Sequence, residues 1–198
     1  MSKWCNLKLS LLALLLTGSI RLSAQLYGEA GVSVPDSKLK NLAGTGIAIG
    51  PNYEYRLTSR FKARLSASFV YFAGKHYPRH GVPVGQPVSS DYKISMLPIQ
   101  AGVKFFPFSK FLSGKFFVGG RLGVQSIFYE SHFIGYQESV LYRSCELNFS
   151  YVPSAGFDLK IVCFEYEWQF ITSQGNQTVN SASYSTIKMS IRIFPKGG

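Results

Sequence analysis

Apolar and polar residues alternate along most of this chain, and Val162–Phe170 shows the pattern most clearly. Its sequence is VCFEYEWQF, with large apolar side chains at the even positions and polar or small ones at the odd positions. Because successive side chains of an extended strand point to opposite faces, the segment predicts a strand with one apolar and one charged face. A helix would instead scatter Glu165 and Glu167 around its circumference, so the strand interpretation is favoured.

The same alternation recurs along the chain and predicts eight strands. In sequence order they are Leu26–Val34, Ile47–Arg56, Phe61–Tyr71, Asp91–Phe106, Lys115–Phe128, Glu146–Asp158, Val162–Phe170 and Thr186–Ile193. Most are longer than the roughly five or six residues usual in soluble proteins. They match the roughly 9 to 11 residues that cross a bilayer at a tilt. In the fourth strand the apolar parity changes at Leu97–Pro98, which predicts a β-bulge there.

The predicted links between strands alternate in length. The links after the second, fourth and sixth strands are Thr58–Arg60, Pro107–Gly114 and Leu159–Lys160. The longer links, after the first, third, fifth and seventh strands, are Pro35–Ala43, Lys75–Ser90, Ser131–Tyr142 and Ser173–Ala182. This alternation is typical of outer-membrane barrels, which have tight periplasmic turns and longer outer loops. With both chain ends on the short-turn side, an even number of strands follows.

The apolar faces carry aromatic residues near the strand ends, as in the interfacial girdles of membrane barrels. These residues are Tyr55, Phe61, Tyr71, Phe105, Phe128, Trp168 and Phe170. Eight strands leave room inside a barrel only for side chains, and this aromatic bulk would not fit easily. Charges of both signs can fill the lumen if they pair with one another. The sequence therefore predicts an all-β fold, an eight-stranded antiparallel up-and-down transmembrane β-barrel with its apolar faces toward lipid.

We expect the lumen to hold a network of ion pairs. Its candidate members are Arg64, Arg121, Glu165, Glu167, Lys188 and Arg192. Because the seventh and eighth strands are neighbours, one of the two glutamates should lie near Lys188 or Arg192. A lumen filled by such long side chains argues against diffusive transport. The remaining role is a structural or surface-binding one through the long loops, whose ligand or partner the sequence does not specify.

The first residues predict a secretory signal peptide. Lys3 and Lys8 precede the apolar run LSLLALLLTGSI, and small residues end at Ala24. We expect cleavage after Ala24, which divides the chain into a signal peptide over residues 1–24 and one barrel domain over residues 25–198. An N-terminal membrane anchor is disfavoured, because the apolar run is shorter than the roughly 20 residues that span a bilayer as a helix.

The formal net charge of the chain is +11 at pH 7. The basic residues are spread along strands rather than clustered, and an exported chain rarely meets nucleic acid, so nucleic-acid binding is disfavoured. Cys145 and Cys163 are not expected to form a disulfide, because only Cys163 lies near the predicted turn at Leu159–Lys160. Neither cysteine has a partner at metal-ligand spacing, and no metal or cofactor is predicted.

Several stretches together carry a family resemblance. They are SAQ followed by LYGEAGVS, ISMLPIQAGVKFFP, FFVGGRLGVQ, VPSAGFDLKIVCFEYEWQF and IKMSIRIF, which together cover nearly all of residues 25–194. In these stretches the chain resembles the PorT-like family of small outer-membrane β-barrels. The resemblance implies the outer membrane of a Gram-negative bacterium, with outer-membrane lipids as partners. Many such barrels end on an aromatic residue, whereas here Pro195–Gly198 follows Phe194.

An enzymatic alternative is also open. Glu130, Ser131 and His132 are residue types used in nucleophilic catalysis, and some small outer-membrane barrels modify lipid with loop-borne Ser and His. Neighbours in an extended chain point to opposite faces, so Ser131 and His132 would not naturally meet. Glu165 and Glu167 could form a glycosidase-like pair, but a lumen lined by basic residues favours ion pairing instead. No catalytic residue is therefore predicted.

The loop Lys75–Ser90 predicts a cationic outer rim. Its sequence KHYPRHGVPVGQPVSS contains Lys75, Arg79 and two histidines but no acidic residue. Beside the outer leaflet these residues would meet the phosphates of lipopolysaccharide, where each basic residue is worth about 1 kcal/mol. Lys75 and Arg79 are therefore candidate lipopolysaccharide contacts. A solvated loop that binds nothing is the alternative, and the sequence does not decide between them.

Overall fold

The three-dimensional structure is a computed structural model of the full chain. The residues it describes are 24–36, 39–78, 89–108, 114–134, 139–159, 161–172 and 183–193. The predicted signal peptide lies outside these ranges except for its last residue, Ala24. Arg79 and the tail Pro195–Gly198 also lie outside the described residues.

The described residues form eight long antiparallel strands. They are β1 (Ala24–Asp36), β2 (Ala43–Arg56), β3 (the consecutive segments Phe61–Ala67, Phe69–Gly74 and His76–Pro78), β4 (Ser89–Phe105), β5 (Lys115–Ile134), β6 (Ser139–Asp158), β7 (Val162–Thr172) and β8 (Ser183–Arg192). One short helix, α1 (Leu39–Leu42), lies between β1 and β2. Within the described ranges, no helix has the length and apolar character needed to cross a membrane.

The sheet closes on itself. Each strand pairs with the next along the chain, and β8 pairs back with β1. Ala30 of β1, for example, lies opposite Ile49 of β2 on one side and Met189 of β8 on the other. Closure leaves no unpaired edge between the first and last strands. The predicted eight-stranded antiparallel barrel is confirmed.

Side chains alternate between the lumen and the outer wall, as the sequence pattern predicts. In β7, Glu165 and Glu167 are buried, whereas Phe164, Tyr166 and Trp168 are exposed. The same holds around the barrel, where the exposed large residues of the strands are almost all apolar. An outer wall of this kind is suited to lipid.

Aromatic side chains gather at two levels of the outer wall. At the short-turn end, Phe61 packs on Phe105 with ring centroids 4.9 Å apart. At the long-loop end, Phe170 packs on Tyr151 at 4.7 Å and on Trp168 at 4.9 Å. Along β3, the ten residue-to-residue steps from Phe61 to Tyr71 span about 25 Å across the membrane at about 3.3 Å per step and a tilt of about 40°. That height matches the apolar band of outer-membrane barrels.

The predicted β-bulge at Leu97–Pro98 is wrong. Pairing between β4 and β5 runs through this point without a shift of register. A register shift is found instead between β2 and β3, where Ala43 lies opposite Gly74 but Gly46 lies opposite Phe72. At Ser68 of β3 the register with β4 continues, and the Ser68 N–H donates to the carbonyl oxygen of Pro98 at 3.1 Å. Ile94 and Met96 lie on the same face of β4 as Gln100 and Lys104 and point into the lumen. They are apolar because the lumen is apolar at their level.

The strands also extend further at the long-loop end than predicted. β5 continues to Ile134 and β6 starts at Ser139, so most of the predicted loop Ser131–Tyr142 is a paired ladder. α1 lies within the predicted loop Pro35–Ala43. Apolar alternation ends earlier than the hydrogen-bonded ladder, because a strand that projects beyond the lipid has no lipid-facing side to keep apolar.

Trp168 tests the assignment of the two faces, and it is the only tryptophan of residues 25–198. In a barrel folded into lipid vesicles, we expect its fluorescence to be blue-shifted and quenched by lipids with brominated acyl chains. A matched variant, Trp168→Phe with Phe72→Trp, moves the indole to a fully buried lumen position and should be quenched far less. Equal quenching of the two proteins would reject the orientation.

Candidate functional site

Ion pairs cross the middle of the lumen in a group that we call the lumen belt. Its members are the acidic residues Glu29, Glu54, Asp158, Glu165 and Glu167 and the basic residues Lys62, Arg64, Lys104, Arg121 and Lys188. Five positive charges thus face five negative ones. A balanced set of this kind is what a buried position requires, since an unpaired charge is costly away from water.

Arg64 lies at the centre of one half of the belt. Its side chain is 0% exposed, and its guanidinium pairs with Glu165 and donates to Glu29 Oε1 at 3.1 Å. Lys104 Nζ lies 3.7 Å from Glu165 Oε2 and 2.5 Å from Glu54 Oε1. One arginine therefore neutralises two carboxylates that come from opposite parts of the chain.

The other half of the belt is built around Glu167. This carboxylate forms an ion pair with Arg121 and a second one with Lys188, whose Nζ lies 2.9 Å from Glu167 Oε2. Lys188 Nζ also lies 3.3 Å from Glu29 Oε2, so Glu29 joins the two halves. Arg121 donates a further hydrogen bond to Ser66 Oγ at 2.9 Å. The belt is thus one connected network rather than a set of separate pairs.

Five of the six residues predicted for the network are members of the belt, and Lys188 lies beside Glu167 as expected of neighbouring strands. The sixth residue, Arg192, was expected in the network but forms no ion pair among the described residues. Within the described residues its side-chain contacts are with Tyr27, whose hydroxyl oxygen accepts a hydrogen bond from the guanidinium at 3.1 Å and whose ring lies 5.6 Å away. Arg192 is the last residue of β8, at the short-turn end, where the neighbouring strand presents Tyr27 rather than an acid.

Sequence reasoning missed half of the belt. The missed members are Glu29, Glu54, Lys62, Lys104 and Asp158. All of them stand on the polar parity of their strands, so the signal was present. What the pattern lacks is the height of each residue in the lumen, which depends on strand tilt and stagger.

Glycines make room for the long side chains of the belt. Gly31 lies opposite Lys188, Gly119 opposite Lys104 and Gly102 opposite Arg121 across neighbouring strands. A Cβ atom added at Gly102 would lie 2.7 Å from Arg121 Cγ, and one added at Gly31 would lie 2.8 Å from Lys188 Cγ. Each long side chain therefore lies over a backbone position that carries no side chain.

A second, apolar layer closes the lumen toward the long loops, and we call it the apolar plug. Its members are Leu39, Ala43, Ala48, Val70, Phe72, Ile94, Met96, Ile127, Ile171 and Tyr184. Phe72 and Tyr184 meet edge to face with ring centroids 5.3 Å apart. Leu39 comes from α1 and is 1% exposed, so the first long link packs into the lumen. The described lumen also holds buried amides such as Gln100, Gln125 and Gln169, and a second apolar cluster of Phe106, Phe117 and Cys163 at the short-turn end.

Lys75, one of the two candidate lipopolysaccharide contacts, fastens this plug. Its ammonium donates to the carbonyl oxygen of Lys40 at 2.6 Å, and its backbone N–H donates to the carbonyl oxygen of Leu42 at 3.2 Å. Both acceptors belong to α1. A lysine ammonium has three donors, so this bond leaves capacity for an anion. The other candidate, Arg79, lies outside the described residues.

The structure does not bring together the residues of the enzymatic alternative. Ser131 and His132 are consecutive residues of β5, so their side chains leave opposite faces of the ladder. Glu165 and Glu167 are both held by basic residues. Cys145 is exposed, Cys163 is buried, and both are free thiols. Within the described ranges, no group of three or more His, Cys, Asp and Glu residues could hold a metal ion.

Comparisons with known proteins give a likeness of structure. No family model matches the chain, and no curated protein matches its sequence. The crystal structure of Ail, the attachment invasion locus protein of Yersinia pestis, is similar, with a TM-score of 0.53 over 86% of this chain and 97% of that one. The chain has the fold of a small outer-membrane β-barrel.

Two further structures are among those that match. Ail in complex with the heparin analogue sucrose octasulfate has a TM-score of 0.52, with 86% and 97% of the two chains covered. Neisserial surface protein A has a TM-score of 0.46 at 12% identity, with 85% of this chain and 95% of that one covered. Identity to Ail is 10%, so the likeness to Ail shows the fold alone.

Proposed function

We propose that this chain is an outer-membrane barrel of the PorT-like kind that works at the cell surface and does not conduct solutes. The observation that carries the proposal is the closed lumen, in which the charged belt lies below the apolar plug. In the proposed setting, the chain is exported to the outer membrane of a Gram-negative bacterium and loses residues 1–24. The barrel then serves as a rigid base for its long-loop end.

The energetics of the lumen support this role. A hydrated ion in transit would have to separate belt pairs, and breaking a buried ion pair typically costs about 3 to 5 kcal/mol. Above the belt it would also meet the buried rings of Phe72 and Tyr184, which pack edge to face. A lumen of eight strands has no spare width for a route around them.

Electrical recording tests the proposal. The barrel reconstituted into planar lipid bilayers should give no conductance steps above those of a protein-free bilayer. Insertion must be shown on the same preparation, by the slower or faster gel migration of the unheated protein relative to the heated one. Stable, ohmic steps whose number rises with the amount of protein would overturn the closed-lumen proposal.

The ligand class that this role favours is anionic. Without Lys3, Lys8 and Arg21 of the signal peptide, 18 basic residues face 10 acidic ones, a net charge of +8, and Lys75 and Arg79 belong to an outer loop free of acidic residues. Lipopolysaccharide phosphates beside that loop are the proposed partners. The complex of Ail with a sulfated heparin analogue offers a precedent for a polyanion on a barrel of this fold. Variants at Lys75 and Arg79 enter the experiment described next.

A further inference from the structure

The outer wall carries a groove near the long-loop end, across β3, β4, β5 and β6. Its floor is a row of direct cross-strand neighbours, with Tyr71 opposite Ser95, Ser95 opposite Phe128, and Phe128 opposite Cys145. Two large rings thus alternate with two small side chains. The hollow that results has a volume of about 500 Å³. We call it the outer-wall groove.

A row of charges borders this groove on the side of the long loops. Lys93, Glu130 and Arg143 are cross-strand neighbours two residues beyond the floor residues of their strands. Lys93 Nζ lies 4.0 Å from Glu130 Oε1, and Arg143 Nε lies 3.5 Å from Glu130 Oε2. All three side chains line the groove together with the floor residues. The border therefore has two cations, one carboxylate and a net charge of +1.

The two cations are open to a ligand. The side chain of Lys93 is 63% exposed and that of Arg143 is 71% exposed, whereas belt residues such as Arg64 are fully buried. Glu130 is a single acceptor group placed between a lysine and an arginine, at distances longer than those of the tight pairs in the lumen. An ammonium has three donors and a guanidinium has five, more than one carboxylate can occupy, and these groups bind phosphate well.

The groove has the chemistry of one kind of occupant. Its apolar floor continues the lipid-facing wall, since Tyr71 and Phe128 are among its exposed aromatic residues. Its cationic border lies where a lipid headgroup would meet the barrel, just beyond that wall. A free phosphate ion would leave the floor uncovered, and a protein ligand would have to displace lipid from it.

We propose that the outer-wall groove binds lipid A, the phosphorylated lipid of the outer leaflet. An acyl chain lies over Ser95 between the rings of Tyr71 and Phe128, and a phosphate lies between Lys93 and Arg143. The inference rests on the outer-membrane location proposed above, which places the long-loop end in the leaflet that contains lipid A. It adds a lipid site on the wall to the loop contacts at Lys75 and Arg79.

The test measures binding of purified lipid A to the full barrel in zwitterionic detergent micelles. Lys93→Ser with Arg143→Ser should weaken binding about 30-fold, since each basic residue near an anionic lipid surface contributes about 1 kcal/mol. Ser95→Phe fills the floor while both cations remain, and it should also weaken binding. Arg56→Ser with Arg60→Ser, exposed residues of the short-turn end, should leave the affinity unchanged. Gel migration of the unheated proteins verifies that each variant folds.

Competing ligands distinguish lipid A from other phosphate-containing molecules. The proposal is overturned if phosphatidylglycerol binds as well as lipid A, or if millimolar inorganic phosphate displaces lipid A. It is also overturned if the Lys93 and Arg143 variant binds like the unmodified barrel. A loss confined to Lys75→Ser with Arg79→Ser would support the loop contacts of the proposed function and overturn the groove. Loss in the groove variants with no change in the loop variant would support the groove and count against the loop contacts.

Discussion

The Arg64→Met barrel should lose about 3 to 5 kcal/mol of unfolding free energy, the usual cost of removing one partner from a buried ion pair. Arg64 is the shared cation of Glu29 and Glu165, and its side chain is fully buried. Methionine is close in length and fills the space, so the loss reports on charge more than on volume. Both carboxylates would remain in the lumen with one counter-charge fewer, which among the described residues leaves Glu29 beside Lys188 alone and Glu165 beside Lys104 alone.

Urea titration of the barrel in lipid vesicles measures this effect. Arg143→Met is the matched control, because it removes the same group from an ion pair that is mostly exposed and worth about 0 to 1 kcal/mol. Adding Glu165→Gln to Arg64→Met should recover part of the loss, since one of the stranded charges is removed with it. An Arg64→Met barrel that unfolds at the same urea concentration as the Arg143→Met control would contradict the stabilising role of the belt.

Local alternation predicted the faces of the strands well. The pattern at Val162–Phe170 assigned Glu165 and Glu167 to the polar face, and their positions in the lumen follow from it. The adjacency of β7 and β8 was enough to place one of these glutamates near Lys188. Such inferences succeed because a period of two is a property of each strand by itself, and neighbouring strands need only a short turn between them.

The apolar plug could not be predicted in the same way. Ile94 and Met96 stand on the lumen parity, and the sequence offers two explanations for apolar residues there: a shift of register, or an apolar layer inside the barrel. A bulge at Leu97–Pro98 was the simpler explanation for one strand. Only the whole set of plug residues, which come from several strands and from α1, shows that the lumen changes character toward the long loops.

Contacts across the lumen were also beyond the sequence. Arg64 and Glu165 are 101 residues apart, and Lys62 and Asp158 are 96 residues apart. Neither pair lies on neighbouring strands. Which residues meet across a barrel depends on its tilt and stagger, quantities that the pattern of one strand does not contain. The sequence did contain one indication. Glycines on the lumen face mark positions where a long side chain of the neighbouring strand can lie over the backbone.

Gly102→Val should destabilise the barrel by about 3 kcal/mol, at the upper end of the usual cost of overpacking. A Cβ at Gly102 would collide with the carbonyl oxygen of Gly120 and lie 2.7 Å from both Cα and Cγ of Arg121. The backbone oxygen cannot move without disturbing the ladder. The side chain of Arg121 could move only by giving up its pairing with Glu167 and its hydrogen bond to Ser66. Crowding at one glycine therefore disturbs the belt.

Gly120→Val provides the control on the strand opposite Gly102. A Cβ there meets nothing within 4 Å and points to the lipid-facing wall, where a β-branched side chain is favourable. Urea midpoints of the two variants and of the unmodified barrel, measured in the same vesicles, isolate the effect of the lumen. If Gly102→Val and Gly120→Val have the same midpoint, the long side chains of the belt do not depend on the glycines that face them.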